Sequence, residues 1–207
     1  MRIGIIGSGR IGGTLARRCV EAGHEVAVSN SRGPDTLRDL VTELGPNATA
    51  TTPAEAAWFG EVVVVAVPFV AYRDLPADAL AGGMVIDATN YYPDRDGHVE
   101  ELDTGQTTSS ELVARHLPDA RVVKAFNTMY WNHLRDLGRP NGDPDRLGIP
   151  ISGDDPDAKQ VVSTLVDDIG FDAVDAGALA EGGRKHQPGT PVYTTDLHTN
   201  QLYATLR

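Results

Sequence analysis

The feature that most constrains this chain is a glycine-rich turn placed directly after a short apolar segment. Residues 7–12 read Gly-Ser-Gly-Arg-Ile-Gly, and the apolar run 3–6 precedes them. This G-x-G-x-x-G spacing at a strand-to-helix turn is typical of dinucleotide sites. Gly7 allows a tight turn, Gly9 leaves room for a pyrophosphate on the backbone amides, and Gly12 lets the next helix pack close to the sheet.

The sequence after the turn supplies the rest of a βαβ unit. An amphipathic pattern places Ile11, Leu15 and Val20 on one helix face, and a β-rich segment follows at 25–29. The start of such a helix points unpaired N–H groups and the positive end of its dipole at phosphate oxygens. We therefore predict a dinucleotide site in preference to a purely structural turn.

The end of the second predicted strand indicates which dinucleotide binds. NAD sites usually carry Asp or Glu there, whereas this chain continues Asn30-Ser31-Arg32. A hydroxyl and a guanidinium can bind a 2′-phosphate that a carboxylate would repel. Arg10, in the glycine loop, can reach the same phosphate. The sequence thus predicts NADP(H), the alternative being that Arg32 is only a solvated loop cation.

The rest of the chain predicts an α/β fold with a doubly wound, mostly parallel Rossmann sheet. Further strands are predicted at 48–51, 61–67, 84–88, 121–126, 149–153 and 171–174, and further helices at 34–44, 53–58, 72–80, 109–116, 155–169 and 199–206. Segment 61–67 is apolar on both faces, as a central parallel strand must be. We predict an NADP-binding domain over 1–177 and a small C-terminal extension over 178–207 that covers the site or a partner subunit.

Composition limits the partners. A net charge of -11 leaves no basic stripe for nucleic acid. No apolar run reaches the roughly 20 residues that cross a bilayer. We expect no signal peptide before the first strand, and we expect the single cysteine to lie on the buried stripe of the first helix. The histidines lack the spacing of a metal site. We expect a cytoplasmic protein with a small-molecule acceptor, without metal, nucleic acid or membrane.

The carboxyl ends of the strands are where an open α/β sheet binds ligands. Three predicted ends carry amides and aromatic rings: 67–69 (Val-Pro-Phe), 89–92 (Thr-Asn-Tyr-Tyr) and 126–131 (Phe-Asn-Thr-Met-Tyr-Trp). Flat rings with a few amide contacts suit a nicotinamide and a second planar ring, although such aromatics can also be loop-packing residues. No side chain is predicted to be catalytic, which favours hydride transfer between two bound rings.

These residues resemble the NADP-dependent oxidoreductases that reduce the deazaflavin coenzyme F-420, in particular a bacterial branch of that family. The reductase domain of the STEAP metalloreductases is similar too. Besides the glycine loop, the resemblance rests on Ser31-Arg32, Val67-Pro68, Lys124 to Thr128, Ser152 to Asp155 and Asp175 to Gly177. It implies a homodimer whose C-terminal segment helps to cover the site.

The residues and the resemblance together predict two sets of site residues. The expected cofactor-binding residues are Gly7, Ser8, Gly9, Arg10, Ile11, Gly12, Asn30, Ser31, Arg32, Val67, Pro68 and Asn90. The expected substrate-binding residues are Phe69, Asn127, Thr128, Met129 and Tyr130.

Three functions compete on this basis. The leading hypothesis is hydride transfer between NADP(H) and a deazaflavin (coenzyme F-420) or flavin, with Arg184 or Lys185 near an anionic tail of the acceptor. The second is reduction of a small carbonyl or imine, for which Tyr91, Tyr130 or His186 would have to supply a proton. The third is a non-enzymatic NADP sensor.

Overall fold

The computed structural model describes all 207 residues, and its central element is an eight-stranded sheet. The strands are β1 (Arg2–Ile6), β2 (Glu25–Ser29), β3 (Ala48–Thr51), β4 (Val62–Val65), β5 (Met84–Asp87), β6 (Arg121–Lys124), β7 (Gly148–Gly153) and β8 (Asp172–Asp175). The helices are α1 (Arg10–Glu21), α2 (Arg38–Leu44), α3 (Pro53–Phe59), α4 (Ala77–Leu80), α5 (Pro93–Asp96), α6 (Glu100–Asp103), α7 (Ser109–His116), α8 (Trp131–Asp136), α9 (Pro156–Asp168), α10 (Leu179–Lys185) and α11 (Thr199–Thr205).

The strand order confirms the predicted doubly wound, mostly parallel sheet. It runs β3-β2-β1-β4-β5-β6-β7-β8. The first six strands are parallel, β7 is antiparallel to β6, and β8 is parallel to β7. Because the strand order reverses between β1 and β4, the crevice outside their carboxyl ends is the topological switch point where such sheets bind ligands.

Hydrophobic cores lie on both faces of the sheet, which explains why the central strands are apolar throughout. Ile3 and Ile5 of β1 belong to the larger core, together with alternate valines of β4 and the apolar stripe of α1. Ile6 belongs to the smaller core on the opposite face, with the other valines of β4. Burial on both sides makes these strands the rigid support of the switch-point crevice.

Two strands end two residues earlier than the sequence predicts, and both ends lie at the crevice. Strand β4 was expected over 61–67 but stops at Val65, because its neighbour β1 ends at Ile6 and the chain then turns away, with the Gly7 amide donating to Ser29 O at 3.0 Å. Strand β6 was expected to reach residue 126 but stops at Lys124. The freed residues bend over the crevice instead of extending the sheet.

Other differences lie in the helical segments. The predicted helix 34–44 is a 3-10 helix (Pro34–Leu37) followed by α2, and the long polar segment 91–108 contains the short helices α5 and α6. Helix α10 was missed because its paired glycines disfavour a helix. It forms nonetheless, since Asp154 Oδ1 accepts the Leu179 amide at 2.9 Å and the helix packs on β7. None of the helices is both long and apolar enough to cross a membrane.

The approach of α1 to the glycine turn makes a stability prediction. A Cβ at Gly12 would lie 1.8 Å from Gly7 O, whereas a Cβ at the next residue, Gly13, meets nothing closer than 3.7 Å. Gly12→Ala should lower the free energy of unfolding by about 3 kcal/mol, because backbone has to move. Gly13→Ala is the matched control and should be neutral or stabilising by about 0.5–1 kcal/mol. Urea denaturation of both variants checks this, and equal effects would contradict the close approach.

Candidate functional site

The glycine loop presents open backbone at the start of α1. Gly7 has a φ of 109°, a conformation that favours glycine. Gly9 is the N-cap of α1 and no side chain caps that helix, so its first amides have no side-chain acceptor. A Cβ built at Gly9 would meet no atom within 4 Å. This is the geometry that a pyrophosphate needs, because it brings acceptor oxygens and negative charge to the helix N-terminus.

Asn30 connects the end of β2 to the glycine loop. Its Nδ2 donates to Ser8 Oγ at 3.2 Å and to Thr36 Oγ1 at 2.9 Å, and its Oδ1 accepts the Arg32 amide at 2.8 Å. Asn30 is buried, and its side-chain amide makes these hydrogen bonds within the protein. Ser31 and Arg32 next to it are exposed.

A cavity of about 500 Å³, here called the loop cavity, lies beside this turn. Its lining includes the glycine loop from Gly7 to Gly9, the segment Asn30 to Arg32, and Ala66, Val67 and Pro68. The guanidinium of Arg32 makes no ion pair or hydrogen bond within the chain, unlike its neighbour Arg38, which pairs with Asp35 at 2.5 Å. A free guanidinium and a hydroxyl at this edge fit a phosphate group.

A second cavity, of about 460 Å³ and here called the aromatic cavity, lies across the same strand end. Ala66, Val67 and Pro68 line both cavities, so the two meet at the end of β4. Of the predicted residues, the aromatic cavity is lined by Arg10, Ile11, Val67, Pro68, Asn90, Asn127, Met129 and Tyr130. Tyr92, Arg95, Trp131, Tyr193 and Thr194 also line it. No sequence pattern pointed to Arg95, Tyr193 or Thr194. Only the tertiary fold brings α5 and the C-terminal tail together at this edge.

Phe69 and Thr128 were predicted to bind substrate, but the structure places both outside the cavities. Phe69 is 1% exposed and stacks on Tyr72 at a centroid distance of 4.9 Å, because the chain turns down into the smaller core after Pro68. Thr128 is also buried, and its carbonyl accepts the Thr194 amide at 2.7 Å. Phe69 thus packs beneath the site, and Thr128 holds the tail against it.

The two asparagines at the strand ends bond to each other. Asn127 Nδ2 donates to Asn90 Oδ1 at 3.0 Å, and Asn90 Nδ2 donates to Asn127 O at 2.8 Å. Asn127 Nδ2 also donates to His186 O at 2.6 Å, and its Oδ1 accepts from His186 Nδ1 at 3.0 Å. Both N–H bonds of Asn127 are thereby used within the protein. Its side chain fastens the residue after α10 to the carboxyl ends of β5 and β6.

His186 is fully buried and cannot supply a proton to a ligand. Burial, with a smaller contribution from the charge of Lys124, lowers the pKa of His186 from 6.5 to about 3, so the ring is neutral. Because Nδ1 faces the carbonyl oxygen of the Asn127 amide, the proton sits on Nδ1. Nε2 then accepts from Ser152 Oγ at 2.7 Å. His186 is a structural residue of the tail anchor.

A buried ion pair supports the strand ends from below. Lys124 is 1% exposed, and its Nζ lies 3.4 Å from Asp87 Oδ2 and 3.1 Å from Thr89 O. Asp87 also accepts from Ser110 Oγ at 2.5 Å and from the Thr89 amide at 2.9 Å. These bonds compensate both charges, which burial alone would disfavour. The pair belongs to the protein interior and contacts neither cavity.

Two non-glycine residues that line the aromatic cavity have a strained backbone with a positive φ, Phe126 at 62° and Thr194 at 54°. Phe126 is fully buried and stands two residues after β6 ends. A non-glycine residue adopts this conformation at an energetic cost, and such residues are concentrated at functional sites. The bend points the next residues, from Asn127 onward, across the crevice. No group of three or more His, Cys, Asp or Glu side chains is placed to bind a metal ion.

Comparison with known proteins identifies the family. The family model described as "NADP oxidoreductase coenzyme F420-dependent" matches residues 2–91. A Sinorhizobium meliloti protein of undetermined function has a crystal structure with a TM-score of 0.84, at 32% identity over 96% of this chain and 95% of its own. Residues 2–91 of the chain thus belong to the family of coenzyme F420-dependent NADP oxidoreductases. That family consists of NADP oxidoreductases, which agrees with the NADP site predicted from the glycine loop and Arg32.

Two further relatives agree with this family. A candidate F420-dependent NADP-reductase of Arthrobacter sp. FB24 has a TM-score of 0.73 at 29% identity, with 86% of each chain covered. The metalloreductase STEAP3 of Rattus norvegicus is 35% identical over 181 residues, which are 86% of this chain but 34% of that protein. The chain therefore spans only about a third of the metalloreductase.

The buried, neutral His186 makes a prediction about pH and stability. A histidine whose folded pKa lies below its unfolded value stabilises the fold fully above pH 6.5, and this contribution is lost as the pH falls toward 3. Between pH 6 and 5 the wild type should therefore lose about 1 kcal/mol more unfolding free energy than His186→Gln. Urea denaturation at both pH values measures the difference.

A matched control for this experiment is His98→Gln, because the His98 side chain is 81% exposed. That variant should keep the wild-type dependence on pH. If His186→Gln also keeps it, His186 is not held neutral by the fold.

Proposed function

We propose that this chain transfers a hydride between NADP(H) and a bound deazaflavin, such as coenzyme F-420, or a flavin. The observation that carries the proposal is that the loop cavity and the aromatic cavity meet at Ala66, Val67 and Pro68, at the switch point of the sheet. A dinucleotide lying along the glycine loop would reach this junction with its nicotinamide end. The aromatic cavity would then receive the second ring.

The proposed cofactor contacts follow from the free groups of the loop cavity. The open amides from Gly9 to Ile11 would bind the pyrophosphate, and Ser31 with Arg32 would bind the 2′-phosphate. Val67 and Pro68 would lie against the nicotinamide. When bound, NADPH supplies the hydride, and these residues place it toward the aromatic cavity.

The proposed acceptor contacts are flat and partly polar. Met129, Tyr130 and Trp131 form one wall of the aromatic cavity, and its volume lies within the range of about 300–1,000 Å³ that is usual for small-molecule sites. Arg184 donates to Gly105 O at 2.6 Å and to Gln106 O at 3.2 Å, so it is engaged with the protein and lines neither cavity. Arg10 is available in its place: it lines the cavity with its guanidinium 5.8 Å from the Trp131 ring.

The test of the proposed function is NADPH oxidation by the purified protein with coenzyme F-420, free flavin or no acceptor, followed by absorbance. Turnover with the deazaflavin or the flavin, above the rate without acceptor, is the expected result. Tight NADPH binding without turnover on either ring would contradict the proposal.

Reduction of a small carbonyl or imine is the second candidate, and one observation favours it. Such a substrate needs a proton donor, and the hydroxyls of Tyr92, Tyr130 and Tyr193 belong to residues that line the aromatic cavity. The Tyr91 hydroxyl, in contrast, is occupied by Gly97 O at 3.1 Å and Asp103 Oδ1 at 2.7 Å. A panel of small ketones and imines in the same NADPH assay separates the two candidates.

Arg32 makes a sharp prediction about cofactor preference. Arg32→Ala should weaken NADPH binding by about 1.5–3 kcal/mol, the range for losing a charge-assisted hydrogen bond, and leave NADH binding nearly unchanged. Titration of both cofactors by fluorescence measures the two dissociation constants. Arg38→Ala is the matched control, because Arg38 is an arginine of the same segment that pairs with Asp35 and lines neither cavity. If Arg32→Ala loses as much affinity for NADH as for NADPH, Arg32 does not bind the 2′-phosphate.

The homodimer, the cytoplasmic location and the division at residue 177 stay proposals that rest on the sequence and on the resemblance. Sedimentation of the purified protein tests the first of these. A single species at the mass of one 22.1 kDa chain would overturn it.

A further inference from the structure

Two tyrosine hydroxyls meet in the wall of the aromatic cavity. Tyr92 follows β5, and Tyr193 comes from the C-terminal tail, 101 residues further along the chain. Their hydroxyl oxygens are hydrogen-bonded to each other, and both residues line the cavity. Hydride transfer by positioning alone uses neither hydroxyl, so the pair calls for a role of its own.

Tyr92 is held in place by the start of α5. Its amide donates to Asp96 Oδ2 at 2.9 Å, and the Arg95 guanidinium lies 4.8 Å from the centre of its ring. Arg95 also donates to Asn90 O at 2.7 Å and to Asp96 Oδ2 at 2.7 Å. Burial by itself would raise the pKa of Asp96, but bonds from Arg95 and from backbone amides outweigh it and lower that pKa, so the carboxylate stays ionised and fixes Arg95.

Tyr193 is held by the anchored tail. The Thr194 amide donates to Thr128 O at 2.7 Å, and Asp196 Oδ2 lies 2.7 Å from His133 Nδ1. Burial, and then the bond with Tyr92, raises the pKa of Tyr193 above its ordinary value. Tyr193 therefore keeps its proton, and either hydroxyl of the pair can donate to the other. When Tyr193 donates to the Tyr92 oxygen, the Tyr92 proton is left for a molecule in the cavity that both residues line.

We propose that Tyr92 is the proton donor to the reduced acceptor and that Tyr193 positions it. The proposal rests on the proposed function, and both acceptor classes require such a donor. When the hydride adds to the electron-poor atom of the acceptor, the electron pair of the conjugated C=N or C=O group moves to its heteroatom. The Tyr92 O–H bond breaks, and the proton forms the new bond at that heteroatom.

Water supplies the proton that completes the balance of this step. The nicotinamide is oxidised by the loss of one hydride, the acceptor gains that hydride and one proton, and the Tyr92 phenolate takes a proton from solvent afterwards. Two neighbours stabilise the phenolate while it exists: the Tyr193 hydroxyl, which donates to its oxygen, and the Arg95 guanidinium beside its ring. In the reverse direction the same phenolate accepts the proton.

The experiment is single-turnover NADPH oxidation by Tyr92→Phe at saturating NADPH and acceptor, using the acceptor that the wild type reduces. Single turnover is needed because product release can mask chemistry. The hydride-transfer rate should fall by about 100-fold or more, as expected for the loss of a general acid. The dissociation constant of NADPH, measured by fluorescence without acceptor, should equal that of the wild type. The solvent deuterium isotope effect on the hydride-transfer rate should differ between Tyr92→Phe and the wild type.

Tyr193→Phe distinguishes chemistry from structure, because it breaks the same hydrogen bond but keeps the Tyr92 hydroxyl. It should slow the reaction by only about tenfold. Tyr203→Phe is the surface control: this residue lies on α11, is 52% exposed and lines neither cavity, so its rate should equal the wild-type rate.

Each other outcome overturns a defined part of the proposal. Equal losses in Tyr92→Phe and Tyr193→Phe, with weaker NADPH binding in both, would show a structural pair. A large loss in Tyr130→Phe with none in Tyr92→Phe would give the role to Tyr130. If Tyr92→Phe turns over at the full wild-type rate, Tyr92 is not the proton donor, and the proposed function still stands. Absence of wild-type turnover with every acceptor would refute both.

Discussion

The parallel pairing of β1, β4, β5 and β6 is the constraint on which the site depends. It brings four carboxyl ends to one edge, and the hydrophobic cores on both faces hold that edge rigid. Strand β1 ends in the glycine turn, so β4 loses its partner after Val65 and releases Val67 and Pro68 over the crevice. The junction of the two cavities is thus a direct consequence of where pairing stops.

A layer of buried polar groups lies between that sheet edge and the C-terminal tail. The Asp87–Lys124 pair holds the ends of β5 and β6, and the reciprocal bonds of Asn90 and Asn127 continue to His186. Every one of these groups would be costly to bury alone, and together they are satisfied. The tail reaches the aromatic cavity because this layer anchors it, and Tyr193 with Thr194 completes the cavity wall.

The cofactor half of the site is the part for which the sequence offers local patterns. The spacing of Gly7, Gly9 and Gly12 has a local physical meaning, and the absence of a carboxylate after β2 together with Arg32 pointed to NADP. The acceptor half was predicted only in part. The strand ends were identified, but Phe69 turned inward and the two asparagines were expected to face a ligand, although they mainly face each other and His186.

By itself, the sequence determined the α/β class, the parallel central strands and the dinucleotide turn, because each depends on residues within a few positions of one another. Only the tertiary structure decided which aromatic residues share one cavity and which hydroxyls remain free. Tyr92 and Tyr193 stand 101 residues apart, and their contact exists because α10 and the tail fold back onto the carboxyl edge. No local pattern encodes that return, since it arises from the packing of α10 on β7 and from the buried bonds of His186.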